Sequence, residues 1–408
     1  GTKSCKFWGL GSDGTVGANK NSIKIIGDHT DMYAQGYFDY DSKKSGGLTM
    51  SHLRFGHTPI KSTYYISQAD FVACHNPAYL GTYDMVEDLK KGGSFLLNCQ
   101  WTPEELDEKL PGKVKKYIAD NDINFYTIDG FKIGKEIGLG TRINTVLQSA
   151  FFSIAKIIPE EDAIRYMKDA ATKSYSKKGD AIVKMNHDAI ERGANGYFKK
   201  IDVPASWKDA VDDSTKHVAT GDRPELVDYV NNVVIPVNTF HGKDLPVSTF
   251  EKYADGTSPQ GTAAYEKRGV AVDVPTWIPE NCIQCNFCSM VCPHAVIRPV
   301  PMTDAELAAA PAAVKSKAMT GMPGMNFVMT ISTLDCTGCG SCVQVCPGMK
   351  GNKALAMSPI DNERPGQEVF DYGVKLDPKP EVLAKFKDTT VKGSQFKQPL
   401  LEFSGACG

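Results

Sequence analysis

The stretch CIQCNFCSMVCP occupies residues 282–293, and CTGCGSCVQVCP repeats its cysteine spacing at residues 336–347. In each copy, three evenly spaced cysteines are followed by a fourth cysteine and a proline. Three thiolates on one tight loop can hold three corners of an iron–sulfur cube, while the fourth cysteine of each run reaches the other cube. The duplicated pattern therefore predicts a small bacterial-type ferredoxin-like domain that binds two [4Fe–4S] clusters.

This pattern also predicts which cysteines share a cluster. The first quartet is Cys282, Cys285, Cys288 and Cys346, and the second is Cys292, Cys336, Cys339 and Cys342. A structural zinc site is the alternative, but zinc closes its shell with four ligands and needs no exchange of the fourth cysteine between loops. Because every iron in this scheme has a cysteine ligand, we expect both clusters to transfer electrons without binding substrate.

Composition limits the function further. The chain has 408 residues, 41% of them hydrophobic, and a formal net charge of −2. A near-neutral chain without a basic stripe argues against nucleic acid as a partner, and no apolar run approaches the roughly 20 residues of a membrane span. Four cysteines lie outside the two runs, namely Cys5, Cys74, Cys99 and Cys407. Tight cysteine runs in a large chain favour metal over disulfides and hence a reducing compartment.

The N-terminal half of the chain reads as a doubly wound α/β domain with a parallel sheet. Short apolar runs predict strands at residues 6–10, 32–38, 71–74, 94–98 and 125–128. Helical apolar spacing predicts helices at residues 16–26, 83–90, 103–118, 142–158 and 159–174. Thr102 is the expected N-cap of the third of these helices, with Pro103 in its first turn. Alternating strands and helices are typical of parallel sheets.

We expect four segments along the chain. The α/β domain spans residues 1–221, a small irregular α+β domain with a helix near 224–234 spans 222–277, the ferredoxin-like domain spans 278–377, and a linker spans 378–408. Residues 302–324, rich in alanine, proline and methionine, are expected to be an excursion between the two cysteine runs. The linker-like ending led us to expect that the chain is an internal piece of a longer polypeptide.

A glycine-rich segment, FWGLGSDGTVGANK at residues 7–20, joins the first strand to the first helix. Free N–H groups at a helix N-terminus favour phosphate, and Lys20 adds positive charge. However, the segment is neither a Walker A loop nor a strict dinucleotide fingerprint, and Asp13 stands where an anion would approach. An anion-binding loop and a tight turn both remain open. Lys43 and Lys44 are a phosphate clamp or, as their pattern alone favours, a solvated turn.

Over essentially its whole length the chain resembles the single-chain pyruvate:ferredoxin (flavodoxin) oxidoreductases. The matching motifs are FWGLGSDGTVGANK (7–20), YDSKKSGG (40–47), SHLRFG (51–56), ACHNPAY (73–79), YEKRG (265–269), PENCIQCNFC (279–288) and GSQFKQPLLEFSGAC (393–407). The Glu-Lys-Arg triplet in YEKRG marks the small domain that is peculiar to the single-chain form. Within that form the resemblance places this chain in the central segment.

The resemblance implies oxidative decarboxylation of pyruvate with coenzyme A (CoA), giving acetyl-CoA, carbon dioxide and reduced ferredoxin or flavodoxin. Thiamine diphosphate and Mg²⁺ would be held by domains outside this segment, which alone should be inactive. The α/β domain would bind CoA through Gly11, Asp13, Gly14, Thr15, Asn19, Lys20, Lys43, Lys44 and, more weakly, Asn144. Cys407 would be the first ligand of a third [4Fe–4S] cluster.

The resemblance further implies a homodimer, contacts with the remaining domains of the same polypeptide, and a location in the cytoplasm of an anaerobic bacterium or in a hydrogenosome-like organelle. Two alternatives stay open. One is an electron-transfer adaptor, in which the α/β domain docks a partner and has no CoA chemistry. The other is a related enzyme that acts on a different 2-oxoacid.

Overall fold

A computed structural model of the chain describes residues 1–11, 13–41, 46–140, 142–194, 196–212 and 218–397. These residues form two compact units, one from Gly1 to Val218 and one that begins at Ala219. Across the described ranges, every helix is too short or too polar to cross a membrane. The finer division into four segments stays a prediction.

A seven-stranded sheet forms the first unit. Its strands are β1 (Lys3–Leu10), β2 (Tyr33–Tyr40), β3 (Leu48–Gly56), β4 (Ala69–Cys74), β5 (Leu89–Asn98), β6 (Asn124–Ile128) and β7 (Lys199–Lys200), in the order β2-β3-β1-β4-β5-β6-β7. The central strands β1, β4, β5 and β6 are parallel, which confirms the expected parallel α/β sheet. The pairs β2–β3, β1–β3 and β6–β7 are antiparallel. Because only a short link joins β2 to β3, they pair as antiparallel neighbours, whereas parallel pairing needs a long crossover.

Helices cover both faces of this sheet. They are α1 (Thr15–His29), α2 (Pro103–Lys109), α3 (Gly112–Asp120), α4 (Gly130–Glu136), α5 (Asn144–Ala155), α6 (Glu160–Tyr175) and α7 (Asp180–Gly193). On one face the ring of Phe151 from α5 packs 5.0 Å from Phe7 and 5.2 Å from Phe71. On the other face Phe95 stacks on Phe125 at 5.6 Å. Side chains alternate between the faces of a strand, so two separate apolar layers enclose the sheet.

Two of the expected helices differ in the structure. The helix expected at residues 83–90 is wrong: a 3-10 turn, Met85–Asp88, leads directly into β5. The apolar spacing reflects Met85 and Val86, which are buried within this one turn. The helix expected at residues 103–118 is divided between α2 and α3 at Pro111. Proline disfavours the helical conformation in the residue before it, and that residue is extended here.

The start of α2 confirms the N-cap prediction. The Thr102 hydroxyl accepts a hydrogen bond from the Glu105 N–H, and the Glu105 carboxylate accepts one from the Thr102 N–H. This reciprocal capping box satisfies two N–H groups that the helix itself leaves unpaired.

Short elements build the second unit. Its strands are β8 (Asp273–Trp277), β9 (Ile297–Met302), β10 (Lys317–Ala318), β11 (Asn326–Ile331) and β12 (Leu355–Pro359). Its helices are α8 (Pro224–Tyr229), α9 (Ile235–Asn238), α10 (Phe287–Val291), α11 (Asp304–Ala309), α12 (Ser341–Val345), α13 (Ile360–Glu363), α14 (Gly366–Gly373), α15 (Pro380–Lys385) and α16 (Val391–Lys397). β8 pairs with β12, and β11 pairs with both β9 and β10. A π-helical turn, Val230–Val234, joins α8 to α9 where one helix was expected.

Close packing of α7 on α5 gives a stability prediction. A Cβ added at Gly193 would lie 2.2 Å from the Val146 carbonyl oxygen and 2.6 Å from the Ser149 Cβ. Since backbone cannot move aside cheaply, we expect Gly193→Ala to lower the free energy of unfolding by about 1–3 kcal/mol in urea denaturation.

The matched control for that variant is Gly27→Ala in α1, where an added Cβ has nothing within 4 Å. Alanine is the better helix former, so this change should raise the free energy of unfolding by about 0.5–1 kcal/mol. Equal effects of the two variants would contradict the packing argument.

Candidate functional site

Two cavities in the second unit collect the cysteines of the paired runs. One is lined by Cys282, Cys285, Cys288 and Cys346 together with Trp277, Ile283, Asn286, Met329, Pro347, Gly348, Ala354 and Leu355. The other is lined by Cys292, Cys336, Cys339 and Cys342 together with Pro275, Pro293, His294, Val296, Ile297, Thr337, Gly340 and Ser341. Each cavity thus receives three cysteines from one run and the fourth from the other.

The arrangement of the cysteines bears on what these cavities can hold. A zinc site would need four thiolates converging to about 2.3 Å from one ion. Within the described residues, no three histidine, cysteine or acidic side chains are grouped to hold a single ion. The donor sets therefore fit a multinuclear cluster enclosed by thiolates.

Four of the eight cysteines are buried, namely Cys282, Cys288, Cys336 and Cys342, and burial changes the acidity of several thiols in these quartets. Burial raises the pKa of Cys336 to about 12 and that of Cys342 to about 11, and in both cases neighbouring cysteines add to the shift. Burial likewise raises the pKa of Cys288. Without a metal these groups are neutral at pH 7. Because a cluster binds thiolates, its insertion must release their protons.

Backbone N–H groups point at two sulfurs of each quartet. In the first, Gln284 N–H donates to Cys282 Sγ at 3.4 Å and Ala354 N–H to Cys346 Sγ at 3.3 Å. In the second, both bonds measure 3.4 Å, from Gly338 N–H to Cys336 Sγ and from Val296 N–H to Cys292 Sγ. Such bonds stabilise charge on the sulfurs and influence the reduction potential of a cluster.

The two cysteine loops reach the same backbone shape with different residues. In the second loop Gly338 and Gly340 have φ values of 72° and 74°. At the corresponding positions of the first loop stand Gln284 and Asn286, with φ values of 59° and 63°. The left-handed conformation costs a residue with a side chain about 1–2 kcal/mol, less for asparagine. The first loop is therefore held in shape by something other than glycine.

Side-chain hydrogen bonds supply that support. Gln284 is completely buried; its Nε2 donates to the Ala318 carbonyl at 2.8 Å, and its Oε1 accepts from the Thr320 N–H at 2.8 Å. Asn286 Nδ2 donates to the Lys392 carbonyl in α16 at 3.0 Å. These contacts bind the first loop to the excursion between the runs and to the last described helix. Aligning the two runs reveals the paired positions, although the spacing of the cysteines alone does not.

In the first unit, the glycine-rich loop is organised by Asp13. Its carboxylate accepts hydrogen bonds from the Leu10 N–H at 2.9 Å, the Thr15 N–H at 2.7 Å and the Thr15 hydroxyl at 2.7 Å. Gly14 caps α1 with a φ of 90°, a conformation suited to glycine. The negative charge of Asp13 is thus offset within the loop. Gly11 closes the turn through an N–H bond to the Gly47 carbonyl at 2.6 Å.

The loop lies at the carboxyl edge of the parallel strands, and a hydrogen-bond network joins it to the neighbouring strand ends. The Thr15 hydroxyl is 2.7 Å from His75 Nδ1 after β4. Asn98 Nδ2, at the end of β5, donates to the His75 carbonyl at 3.0 Å, and Asn98 Oδ1 accepts from the Gly130 N–H after β6 at 2.9 Å. His75 and Asn98 were not among the predicted site residues.

Asn144 adjoins the same loop. A Cβ on Gly14 would lie 2.8 Å from the Asn144 Cγ, so the first residue of α5 touches the cap of α1. The N-termini of these two helices, of 15 and 12 residues, therefore meet. Each carries a partial positive charge, and ligands in such sheets bind at the carboxyl ends of the strands.

The structure gives less information about the remaining predicted site residues. Asn19 is 3% exposed, and its Nδ2 has no hydrogen-bond partner within the described part of the chain. The Lys20 ammonium lies 5.3 Å from the centre of the Phe38 ring. Lys43, Lys44 and Cys407 fall outside the described residues.

Comparison with protein families gives three adjacent matches. Residues 4–196 match a family described as pyruvate ferredoxin/flavodoxin oxidoreductase. Residues 213–271 match EKR, described as a domain of unknown function, and residues 281–349 match a 4Fe-4S dicluster domain. The paired cysteine runs thus lie in a dicluster iron–sulfur domain.

Curated relatives align with the whole chain. It is 55% identical to pyruvate:ferredoxin oxidoreductase of Moorella thermoacetica and 52% identical to pyruvate-flavodoxin oxidoreductase of Enterobacter agglomerans, covering 100% of this chain and 34% of each relative. It is 45% identical to pyruvate dehydrogenase [NADP(+)] of Cryptosporidium parvum, covering 22% of that protein. The chain spans about a third of the length of the first two relatives. These matches place residues 4–196 in the pyruvate ferredoxin/flavodoxin oxidoreductase family and residues 281–349 among 4Fe-4S dicluster domains.

Proposed function

We propose that the second unit of this chain conducts electrons through two [4Fe–4S] clusters. The observation that carries the proposal is the crossed composition of the two cavities, each with three cysteines of one run and the fourth of the other. Such clusters take up and release single electrons without a change of ligands. The chain's own contribution is to enclose them with thiolates, apolar side chains and N–H donors, so that each iron is closed to substrate.

We propose that the first unit binds CoA at the carboxyl edge of its sheet. The meeting of the α1 and α5 N-termini at Gly14 and Asn144 supports a phosphate site there, since both helix dipoles favour an anion. Asp13, with its charge offset by three hydrogen bonds, and Thr15, 1% exposed, would shape the loop. Gly11 and Asn144 would contact the ligand, with positive charge supplied by Lys20, Lys43 and Lys44. Asn19, which is buried in α1, would support the loop from within the helix.

For the whole protein we propose oxidative decarboxylation of pyruvate with CoA, coupled to reduction of ferredoxin or flavodoxin. The names of its relatives in Moorella thermoacetica and Enterobacter agglomerans support this activity. Thiamine diphosphate and Mg²⁺ would be bound outside this segment, and Cys407 would be the first ligand of a third cluster. The protein would work as a homodimer in the cytoplasm of an anaerobic bacterium or in a hydrogenosome-like organelle.

Metal analysis tests the two-cluster proposal. In protein isolated without oxygen, we expect the cysteines of this segment to account for about eight iron and eight labile sulfide, since two cubes of four irons would be held. EPR of the dithionite-reduced protein should show two interacting [4Fe–4S]⁺ centres. Stoichiometric zinc without sulfide would refute the proposal.

The crossing of the fourth cysteine gives a sharper prediction. Cys346→Ser should damage the cluster held by Cys282, Cys285 and Cys288, while Cys292→Ser should damage the other one. Iron content and the EPR signal that remains would be measured for each variant. The pairing would be wrong if Cys346→Ser altered only the cluster of the Cys336 run.

The CoA site is tested by removing its proposed contacts. Asn144→Ala, and separately Lys43→Ala with Lys44→Ala, should weaken CoA binding about tenfold, because each removes a polar or charged partner of a phosphate; tenfold corresponds to about 1.4 kcal/mol. Affinity would be measured by calorimetry, with iron content expected to stay constant. Lys184→Ala is the control, since it removes an exposed positive charge on α7. Equal weakening by Lys184→Ala would indicate a general charge effect instead of a site.

A further inference from the structure

The Glu-Lys-Arg triplet, residues 266–268, runs beside the second cysteine run. The Lys267 ammonium forms an ion pair with the Asp335 carboxylate, and the two side chains are only 18% and 16% exposed. The next residue, Gly269, donates its N–H to the Leu334 carbonyl at 2.8 Å. The triplet and the residue after it are therefore joined to Leu334 and Asp335, the two residues that immediately precede Cys336 of the second quartet.

Asp335 depends on this contact. Its Oδ2 also accepts a hydrogen bond from the Ser332 hydroxyl at 2.6 Å, while its Oδ1 is buried and, within the described ranges, has no hydrogen-bond partner. A buried carboxylate that loses its cationic partner is left as an uncompensated charge. Here that charge would lie one residue from a cluster ligand.

We propose that the Glu-Lys-Arg segment sets the reduction potential of the second cluster, with Lys267 as a positioning residue that neutralises Asp335 and fixes the start of the cysteine loop. This inference rests on the proposed two-cluster function. A cluster gains negative charge when it is reduced. A neighbouring negative charge without a cationic partner therefore disfavours reduction, whereas a neutralised charge does not. The matched family model, described only as a domain of unknown function, ends at residue 271, just after this segment.

The test compares variants in protein isolated anaerobically with its clusters. In the Lys267→Met protein we expect unchanged iron and sulfide contents. A redox titration followed by EPR should show that reduction of the second cluster is about tenfold less favourable than in the unmodified protein. That shift is about 59 mV for a one-electron couple. The first cluster should not change. Lys267→Met combined with Asp335→Asn should restore the potential, and Lys267→Arg should preserve it.

The matched control is Lys379→Met, which breaks an ion pair with Glu306 in the same unit. That pair has an N–O distance of 2.7 Å and side chains 11% and 25% exposed. The Lys379→Met protein should lose comparable stability, while the reduction potentials of both clusters stay unchanged. This result would separate an electrostatic role of Lys267 from a structural one.

If the Lys267→Met protein holds both clusters and the reduction potential of the second cluster is unchanged, the inference is overturned, while the two-cluster function still stands. If that variant loses iron, Asp335→Asn alone decides: a higher potential supports the inference, and an unchanged one overturns it. Zinc in place of iron in the unmodified protein would overturn both proposals together.

Discussion

Each cavity of the second unit takes three cysteines from one run and the fourth from the other, and the surrounding elements are arranged around this crossing. Cys346 lines the cavity of the first run, and Cys292 lines that of the second. Two of the antiparallel strand pairings, β8 with β12 and β9 with β11, bring together segments on either side of the runs. The short helices α10 and α12 then separate the third from the fourth cysteine of each run. Together these elements bring the fourth cysteine of each run to the cavity of the other run.

The first unit meets a different requirement, which is to gather polar groups at one edge of a sheet. Thr15, His75, Asn98 and Gly130 follow or end four neighbouring parallel strands and form one hydrogen-bonded chain. Each bond is buried, where hydrogen bonds are worth most and unpaired groups cost most. These hydrogen bonds connect the glycine-rich loop, with the Asp13 carboxylate at its centre, to the ends of the neighbouring strands.

Sequence reasoning succeeded where the determining signal was local. Cysteine spacing predicted the same two groups of cysteines that line the cavities, and the residues around Thr102 predicted the N-cap of α2. Strand–helix alternation predicted the parallel centre of the sheet. It did not reveal that β3 pairs antiparallel with its neighbours. The direction of β3 depends on the short link from β2, and the apolar pattern of β3 itself does not encode it. Helical spacing over residues 83–90 was misleading for a similar reason, since one buried turn produces the same short pattern. Long-range pairs were invisible: Thr15 and His75 are 60 residues apart, and Lys267 and Asp335 are 68 apart.

The unequal construction of the two cysteine loops has a consequence for the order in which the chain matures during synthesis. The second loop carries its own glycines and can turn as soon as it leaves the ribosome. The first loop, though made earlier, needs partners for Gln284 and Asn286 that follow 34 and 106 residues later. The earlier loop is thus the one whose supporting hydrogen bonds are completed last along the chain, by a residue of α16.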